Sequence, residues 1–405
     1  MEEVNNIKKR ILYFIPTFPV LTETFIAREV TKLIELGEVD VRVLALNRGQ
    51  GSAADFVLDK VSFKRLNLVV CIQAASFFFK ESNRILKVYK ELFFLNEPWK
   101  LSHIYLFLKS IAYAYIVKQF QPDHIHCHFL SDPSTIILIV SRILNIPFSV
   151  SGHAKDVFLT GTLIKEKAKH AKFVTICNSF AWRKVLTKVD SADRDKVKLL
   201  FHGIDINIFS DPPKRQKSSR PMLFLGGTRL VEKKGIKYLL EASALLKSRG
   251  ISHQIDIVGP GPQYNDLKIM IKEKGLENYV YIHGESKGTP FEEVKEYYKV
   301  ADIFVLPSIE TGEGDADGVP TVIIEAAVAK LPIITTSAGG IADLIDENTG
   351  MIIPQRDSHA LAAAIEKLLF DSNLRKKLGN SAYEQACKMF DINVNIRKLQ
   401  ENFLS

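Results

Sequence analysis

The chain has 405 residues, 46% hydrophobic and 25% charged, which is typical of a soluble globular protein long enough for two or three domains. Its four cysteines are too few and too dispersed for a disulfide framework or a structural zinc cluster, so we expect a reducing cytosol. We expect no signal peptide, and the longest apolar tract, residues 66–79, is too short to span a bilayer.

Positive charge is concentrated in the first half of the chain. Residues 1–200 hold 29 Lys+Arg against 19 Asp+Glu, a net +10, whereas residues 201–405 hold 25 against 27, a net −2. A basic half suits a polyanion, an anionic membrane surface or a phosphorylated acceptor, although ordinary surface charge would give the same count.

Short apolar runs alternate with helical patterns through this first half. The candidate strands are residues 10–16, 41–46, 124–129, 148–153, 172–178 and 196–203. Near-continuous apolar strands separated by helices are typical of a parallel sheet covered on both faces. The first half therefore predicts a doubly wound α/β domain.

A polar segment rich in Pro and Lys, residues 210–221, interrupts the alternation and predicts an interdomain linker. Six further strand patterns follow, at residues 221–228, 253–261, 279–285, 302–308, 332–340 and 349–354. They predict a second doubly wound domain. Residues 373–405 contain no strand pattern. The predicted divisions are a first domain at 1–205, a linker at 206–220, a second domain at 221–372 and terminal helices at 373–405.

Two cations follow the first strand of the second domain. Arg229 and Lys234 flank its strand-to-helix turn, and helix N-termini attract anions through free N–H groups and the macrodipole. A diphosphate would suit them, although two solvated side chains would give the same pattern. At the next strand end, Gly259 and Gly261 permit close approach of a ligand or simply a tight turn.

Glu325 is the carboxylate that its surroundings single out. It lies on a helix predicted to begin after Gly318, Val319 and Pro320, and its neighbours one turn away are small or apolar. A carboxylate placed there needs hydrogen-bond donors, from a ligand or from a structural salt bridge. Asp317 lies eight positions earlier, just outside the helix. The remaining acids of this loop are Glu310, Glu313 and Asp315.

Histidines cluster at strand ends of the first domain. Alternation along a strand places His124, His126 and His128 on one face, as a metal site or as a packed trio. His153 ends the next strand and is a candidate for contact with a reacting sugar or phosphate, or a structural side chain. The absence of nucleophile-elbow, P-loop and HExxH patterns disfavours hydrolases, kinases and zincins.

Together these segments resemble the retaining glycosyltransferases of the GT-B fold, in the large group 1 (family 4) type that builds bacterial capsule, exopolysaccharide and lipopolysaccharide. The shared motifs run in order along the whole chain: PTFPVLTETFIAREV, HCHF, SGHAKD, FHGIDINIF, GGTRLVEKKG, VGPGP, VLPS, DGVPTVIIEA and SAGGIADLI. The TETF segment is most similar to enzymes of colanic-acid-type polysaccharides. The resemblance implies two Rossmann-like domains facing a cleft, with the first binding acceptor, the second binding nucleotide-sugar, and the terminal helices packing back on the first.

The resemblance also implies residue roles. Arg229 and Lys234 match the pair that holds the donor diphosphate and stabilises the leaving group. Glu325 matches the acid that hydrogen-bonds the ribose hydroxyls, and Asp317 stands where the family usually has the Glu that faces the donor sugar. His153 matches the histidine near the donor sugar and diphosphate. Further donor-side positions are Gly259, Gly318, Val319, Pro320 and Thr321, and acceptor-side positions are Thr22, Glu23 and His128.

The implied reaction moves a sugar from a UDP- or GDP-sugar to a hydroxyl of a lipid-linked saccharide acceptor. The anomeric configuration is retained, and neither a cofactor nor a metal is required. We expect a cytoplasmic protein, peripheral on the anionic inner face of the cell membrane, without a nucleic-acid partner. Two alternatives remain: a GT-B-fold sugar-nucleotide epimerase, and an inactive partner subunit that binds nucleotide-sugar.

Overall fold

A computed structural model of the protein describes residues 8–20, 23–51, 53–93, 101–153, 156–209, 220–284, 288–312 and 317–405. The chain forms two compact units. Unit 1 runs to Gly203 and also includes Ile392–Ser405, and unit 2 comprises Ile204–Asp391. Most of the predicted linker lies outside the described residues.

Unit 1 is built on a seven-stranded parallel sheet. Its strands are β1 (Arg10–Phe18), β2 (Asp40–Arg48), β3 (Val61–Phe63), β4 (His124–His128), β5 (Phe148–Gly152), β6 (Phe173–Ile176) and β7 (Val197–Leu199). The spatial order is β3-β2-β1-β4-β5-β6-β7. The six predicted strands are confirmed, and the short β3 was not predicted.

Helices cover both faces of this sheet. They are α1 (Thr24–Leu36), α2 (Asp55–Leu58), α3 (Leu68–Lys80), α4 (Ser82–Phe93), α5 (Leu101–Phe120), α6 (Asp132–Leu144), α7 (Ile164–His170) and α8 (Ser179–Leu186). Alternation along β1 sends Leu12 and Phe14 into one buried apolar cluster and Tyr13 and Ile15 into another. The sheet is therefore buried on both sides, which is why its strands are almost wholly apolar.

Unit 2 repeats the architecture with six parallel strands. They are β8 (Met222–Gly226), β9 (Gln254–Val258), β10 (Val280–His283), β11 (Ile303–Leu306), β12 (Ile333–Thr336) and β13 (Met351–Ile353), in the order β10-β9-β8-β11-β12-β13. The strand order reverses between β8 and β11. In open α/β sheets, ligands bind at the carboxyl ends of the strands beside such a switch point.

The helices of unit 2 are α9 (Ile236–Ser248), α10 (Tyr264–Glu273), α11 (Phe291–Val300), α12 (Thr321–Val328), α13 (Ser358–Phe370) and α14 (Ser372–Phe390). The last helix, α15 (Ile392–Leu404), belongs to unit 1, where Lys9 Nζ donates to the Phe403 carbonyl at 2.7 Å. The predicted helical tail is thus divided between the two units. No helix among the described residues is long and apolar enough to cross a membrane.

Candidate active site

The loops after β8 and β11 lie together at the switch point of unit 2. The Ile309 N–H donates to the Lys233 carbonyl at 2.9 Å. Gly235 has a φ of +65°, and a Cβ added there would lie 1.9 Å from the Pro307 oxygen. Glycine is therefore required for the contact that locks the two loops together.

A cluster of three charged side chains spans these loops. Lys234 Nζ lies 2.6 Å from Asp317 Oδ2, and Lys233 Nζ lies 3.3 Å from Asp317 Oδ1. The three side chains are mostly buried, at 9% exposed for Lys234, 14% for Lys233 and 19% for Asp317. Burial raises the pKa of the carboxyl, but the two ammonium groups lower it further, so the pKa of Asp317 falls below its usual value. The cluster carries a net charge of +1.

Glu325 is buried on α12, with 4% of its surface exposed, as its apolar neighbours predict. Its Oε2 accepts a hydrogen bond from the Tyr298 hydroxyl at 3.0 Å. Tyr298 is itself fully buried on α11, against the rings of Phe224 and Phe304. The protein thus supplies a donor to this carboxylate, so the burial of Glu325 does not by itself require a ligand.

The other donor-side residues differ in their surroundings. Arg229 is exposed, and its side chain forms no hydrogen bond or ion pair with any residue that the structure describes. Gly259 has a φ of +151°, and a Cβ there would lie 1.9 Å from the Thr228 oxygen. Packing of two strand-end loops therefore explains this glycine without a ligand. Around the start of α12, Pro320 is buried, while the partly exposed positions are Gly318, Val319 and Thr321.

The histidine strand of unit 1 is fully buried, with its three histidines on one face. Ser149 Oγ lies 2.7 Å from both His124 Nε2 and His126 Nδ1, and Ser151 Oγ lies 3.1 Å from His126 Nε2. Burial lowers the pKa of His124 to about 2 and that of His126 to about 3. These two side chains are thus neutral, hydrogen-bonded parts of the core.

His128 and His153 continue into a longer chain of hydrogen bonds. Glu29 Oε1, on α1, lies 3.2 Å from His128 Nε2 and accepts from the Tyr13 hydroxyl at 2.8 Å. His128 Nδ1 lies 3.2 Å from His153 Nε2, and His153 Nδ1 lies 3.1 Å from His202 Nε2. Both ring nitrogens of His153 are therefore bonded within unit 1.

The pKa values in this chain follow from its burial. Burial alone would raise the pKa of Glu29, but the adjacent His128 imidazole lowers it further, to about 2. Burial lowers the pKa of His202 to about 4 and that of His153 well below its usual value, and neighbouring imidazoles add to the shift of His153. Near neutral pH Glu29 is therefore a carboxylate, and His153 and His202 are neutral imidazoles.

Two sets of side chains hold potential metal ligands within 4.8 Å of one another: Glu29, His126 and His128, and His153, Cys177 and His202. Imidazole and thiolate ligands suit Zn²⁺. Every ring nitrogen in these two sets except His202 Nδ1 already forms one of the hydrogen bonds given above. A metal ion in either set would have to replace those bonds.

Residues 207–385 match the family model described as glycosyl transferases group 1. The chain carries a group 1 glycosyltransferase domain. That matched segment contains Arg229, Lys234, Asp317 and Glu325. The predicted activity class, glycosyltransferase, is confirmed.

Relatives of this glycosyltransferase match over most of its length. It is 25% identical over 368 residues to the putative colanic acid biosynthesis glycosyltransferase WcaL of Escherichia coli (strain K12), covering 87% of this chain and 89% of that one. It is 27% identical over 399 residues to the amylovoran biosynthesis glycosyltransferase AmsK of Erwinia amylovora, covering 89% and 90%. The solved structure of Anabaena HepE in complex with UDP and glucose superposes with a TM-score of 0.68 at 15% identity, over 97% of this chain and 99% of that one. The predicted fold of two Rossmann-like domains, GT-B, is confirmed.

The predicted acceptor-side residues and the loop acids of unit 2 lie in different surroundings. Thr22 lies outside the described residues, as do two loop acids of unit 2, Glu313 and Asp315. Glu23 is half-buried directly before α1, and His128 is fully buried in the chain of hydrogen bonds. Glu310 is exposed, and its Oε1 accepts from the Gly339 N–H at 3.2 Å.

Sequence reasoning missed the partners of the predicted residues in the glycosyltransferase. Lys233 has no sequence signal that sets it apart from its neighbours in the turn, yet it contacts Asp317. Tyr298 had no signal beyond an aromatic position on a helix. Glu29 and His202 lie within segments that carry the family resemblance, but only the structure brings them to His128 and His153.

Proposed function

We propose that this protein is a retaining, metal-independent glycosyltransferase that moves a sugar from a nucleotide diphosphate sugar to a hydroxyl of a lipid-linked saccharide, in exopolysaccharide or lipopolysaccharide biosynthesis. The observation that carries the proposal is the cluster of Lys233, Lys234 and Asp317 at the strand switch point. The names of WcaL and AmsK, both polysaccharide biosynthesis glycosyltransferases, and the UDP and glucose bound to HepE support it.

The net positive charge of the cluster is complementary to the negative charge of a diphosphate. Lys233, Lys234 and Asp317 sum to +1, and Arg229, on the same loop after β8, is a further cation without a side-chain partner among the described residues. In the reaction, negative charge develops on the diphosphate as its bond to the sugar breaks, and cations fixed before the reaction stabilise it. Arg229 and Lys234 thereby supply the charge that a divalent ion supplies in other transferases.

The two carboxylates take different parts of the donor. Asp317, held ionised by the two lysines, accepts hydrogen bonds from hydroxyls of the donor sugar. Glu325, oriented by the Tyr298 hydroxyl at 3.0 Å, accepts from the ribose hydroxyls. Because Asp is one methylene shorter than Glu, the donor sugar must lie closer to the backbone of residue 317 than in enzymes with Glu at that position.

The chemical step takes place on one face of the sugar. As the bond between the anomeric carbon and the phosphate oxygen breaks, the acceptor oxygen forms its bond to the same face. The acceptor proton passes to an oxygen of the departing diphosphate, so that no protein nucleophile is needed.

A surface of unit 1 suits the membrane that carries a lipid-linked acceptor. On α3, Leu68, Ile72 and Phe79 lie along one side and are 76%, 64% and 77% exposed. The opposite side of α3 buries Ala74 and Phe77. Other exposed apolar residues on α3, α4 and α5 are Val69, Leu86, Ile104, Tyr105 and Leu108, and the exposed cations within residues 64–90 are Lys64, Arg65, Lys80, Arg84, Lys87 and Lys90.

This apolar and basic surface offers a function for the net charge of +10 that residues 1–200 carry. Apolar side chains on one face of a helix, flanked by Lys and Arg, bind in the plane of an anionic membrane. We therefore propose peripheral binding of unit 1 to the cytoplasmic face of the cell membrane, with α3 at the lipid surface.

Donor turnover tests the proposed activity. The full chain is incubated with UDP-glucose, UDP-galactose and GDP-mannose, and NMR follows nucleoside diphosphate release and the anomer formed first. We expect one donor to be consumed and to release the retained anomer, with Arg229→Ala and Glu325→Ala slowing turnover at least tenfold. Exposed controls, Lys237→Ala and Glu277→Ala, keep the wild-type rate.

Two outcomes would favour the alternatives. Conversion of the donor into an epimeric nucleotide sugar, with no diphosphate release, identifies an epimerase. Donor binding by the wild type, without turnover when membrane lipid extract supplies acceptors, identifies an inactive binding subunit. Turnover that both Arg229→Ala and Glu325→Ala leave unchanged refutes the site assignment.

Vesicle flotation tests the membrane surface. We expect the protein to bind vesicles containing phosphatidylglycerol but not pure phosphatidylcholine, and high salt to weaken the binding. Phe79→Ser should reduce binding. Phe370→Ser is the matched control, because Phe370 is 76% exposed but lies on unit 2. Equal loss in both variants, or binding that ignores lipid charge, contradicts the proposal.

A further inference from the structure

We propose that Glu29, His128, His153 and His202 form a single hydrogen-bonded relay. The relay fixes which ring nitrogen of His153 carries the proton, and it leaves His202 Nδ1 as its outer nitrogen, a hydrogen-bond acceptor. Glu29, His128 and His202 are then positioning residues for His153. The relay itself follows from the geometry of unit 1. Only its effect on turnover rests on the proposed function.

The ring geometry is that of successive hydrogen bonds. The three contacts, from Glu29 to His202, measure 3.2, 3.2 and 3.1 Å. Adjacent imidazole rings are inclined by only 16°, with centroids 5.4 Å apart for His128 and His153 and 5.0 Å apart for His153 and His202. Because the centroids are much farther apart than the bonded nitrogens, the rings meet edge to edge through those nitrogens and are not stacked face to face.

The carboxylate determines the direction of every bond. Ionised Glu29 can only accept, so His128 must carry its proton on Nε2. With His128 in its neutral form, its Nδ1 accepts from His153 Nε2–H, because a neutral imidazole has one donor and one acceptor nitrogen. In turn His153 Nδ1 accepts from His202 Nε2–H, and His202 Nδ1 is left as an acceptor. One buried charge thereby sets three tautomers.

The surroundings hold the rings in place and keep His153 and His202 neutral. Tyr13 donates to the same Glu29 oxygen as His128, and His126 Nε2 lies 3.8 Å from it. Cys177 Sγ lies 3.9 Å from His153 Nδ1, and Phe25 covers His202 with ring centroids 4.3 Å apart. Burial in this environment lowers the pKa of His153 and of His202, so that neither ring is charged near neutral pH.

NMR of full-length protein with ¹⁵N-labelled histidine tests the relay independently of activity. At pH 8 we expect His128, His153 and His202 to show protonated Nε2 and unprotonated Nδ1. Glu29→Gln supplies an amide that can donate as well as accept, so the tautomers should become mixed. Glu35→Gln, an exposed position on the same helix, should leave them unchanged. Protonated Nδ1 on any of the three rings in the wild type overturns the proposal.

Kinetics and metal analysis complete the test. In the donor assay, Glu29→Gln should lower kcat about 10- to 100-fold with little change in the donor KM, as loss of a residue that orients a catalytic group does. Glu29→Asp, which keeps the carboxylate, should restore part of the lost kcat. An unchanged kcat in Glu29→Gln contradicts the positioning role. Stoichiometric zinc on His153, Cys177 and His202 in the purified protein also overturns the relay. If the wild type turns over no donor, the proposed function fails, while the tautomer spectrum still decides the relay.

Discussion

Replacing Asp317 with Asn perturbs the charge cluster at the switch point. Lys233 and Lys234, 14% and 9% exposed, would lose the carboxylate they share. Removing one partner of a fully buried ion pair costs about 3–5 kcal/mol. Because these side chains keep some contact with water, we expect unit 2 to lose about 2–3 kcal/mol of unfolding free energy. In a unit of this size each kcal/mol lowers Tm by about 2–4 °C, so Tm should fall by about 4–12 °C.

A nucleoside diphosphate should reverse this loss. Its phosphates replace the missing negative charge, so UDP or GDP should raise the Tm of Asp317→Asn by more than it raises that of the wild type. Calorimetry of wild type, Asp317→Asn and the exposed control Glu277→Gln, each with and without nucleotide, measures both effects. A variant as stable as the wild type, or one that nucleotide stabilises no more than the wild type, would refute the account of this cluster.

Three further predictions concern stability. Tyr298→Phe removes a hydrogen bond to the buried Glu325 and should cost about 1.5–3 kcal/mol in urea unfolding, and an unchanged midpoint would contradict the contact. Gly235→Ala should cost about 2–4 kcal/mol from its left-handed φ and the close Pro307 oxygen, whereas Gly312→Ala, with open space around it, should be neutral. Acid should destabilise unit 1 from about pH 6.5 downward, because the unfolded chain protonates histidines that the folded chain keeps neutral. Each such histidine should lower the free energy of unfolding by about 1.4 kcal/mol per pH unit near pH 5. A free energy of unfolding that stays constant from pH 6.5 to 5 would contradict this prediction. The histidines whose folded pKa values are lowered to about 2, 3 and 4 are His124, His126 and His202.

The sheets could be predicted because burial on both faces makes each strand a continuous apolar run. The strand β3 was not predicted because it has only three residues, one of them the exposed Phe63, and so forms no apolar run that could be recognised in the sequence. The strand order was beyond a sequence argument, since it depends on how the crossovers pack. Only the structure puts the switch point between β8 and β11, where the predicted donor residues lie.

At the candidate site the sequence could predict the burial of a single residue, but not the contacts between residues. Helical periodicity identified Glu325 as buried, because its neighbours one turn away are apolar. Its donor Tyr298 lies 27 positions away, and Lys234 lies 83 positions from Asp317. Such pairings depend on tertiary structure and leave no periodic signal in the sequence.

The histidine relay shows the same division. Strand alternation placed His124, His126 and His128 on one face, but left open a metal site or a packed trio. His128 meets Glu29 across 99 positions and His153 across 25. The hydrogen bonds of the relay therefore emerge only once α1, β4 and β5 are packed.

The measurement that tests the central claim most directly is isothermal titration of the full chain with UDP and with GDP. The account predicts one site per chain for one of these nucleotides, an affinity at least tenfold weaker in Arg229→Ala, and an unchanged affinity in the exposed control Lys237→Ala. Equal affinity in wild type and Arg229→Ala, or no binding of either nucleotide by the wild type, would contradict a donor diphosphate site at the loops after β8 and β11.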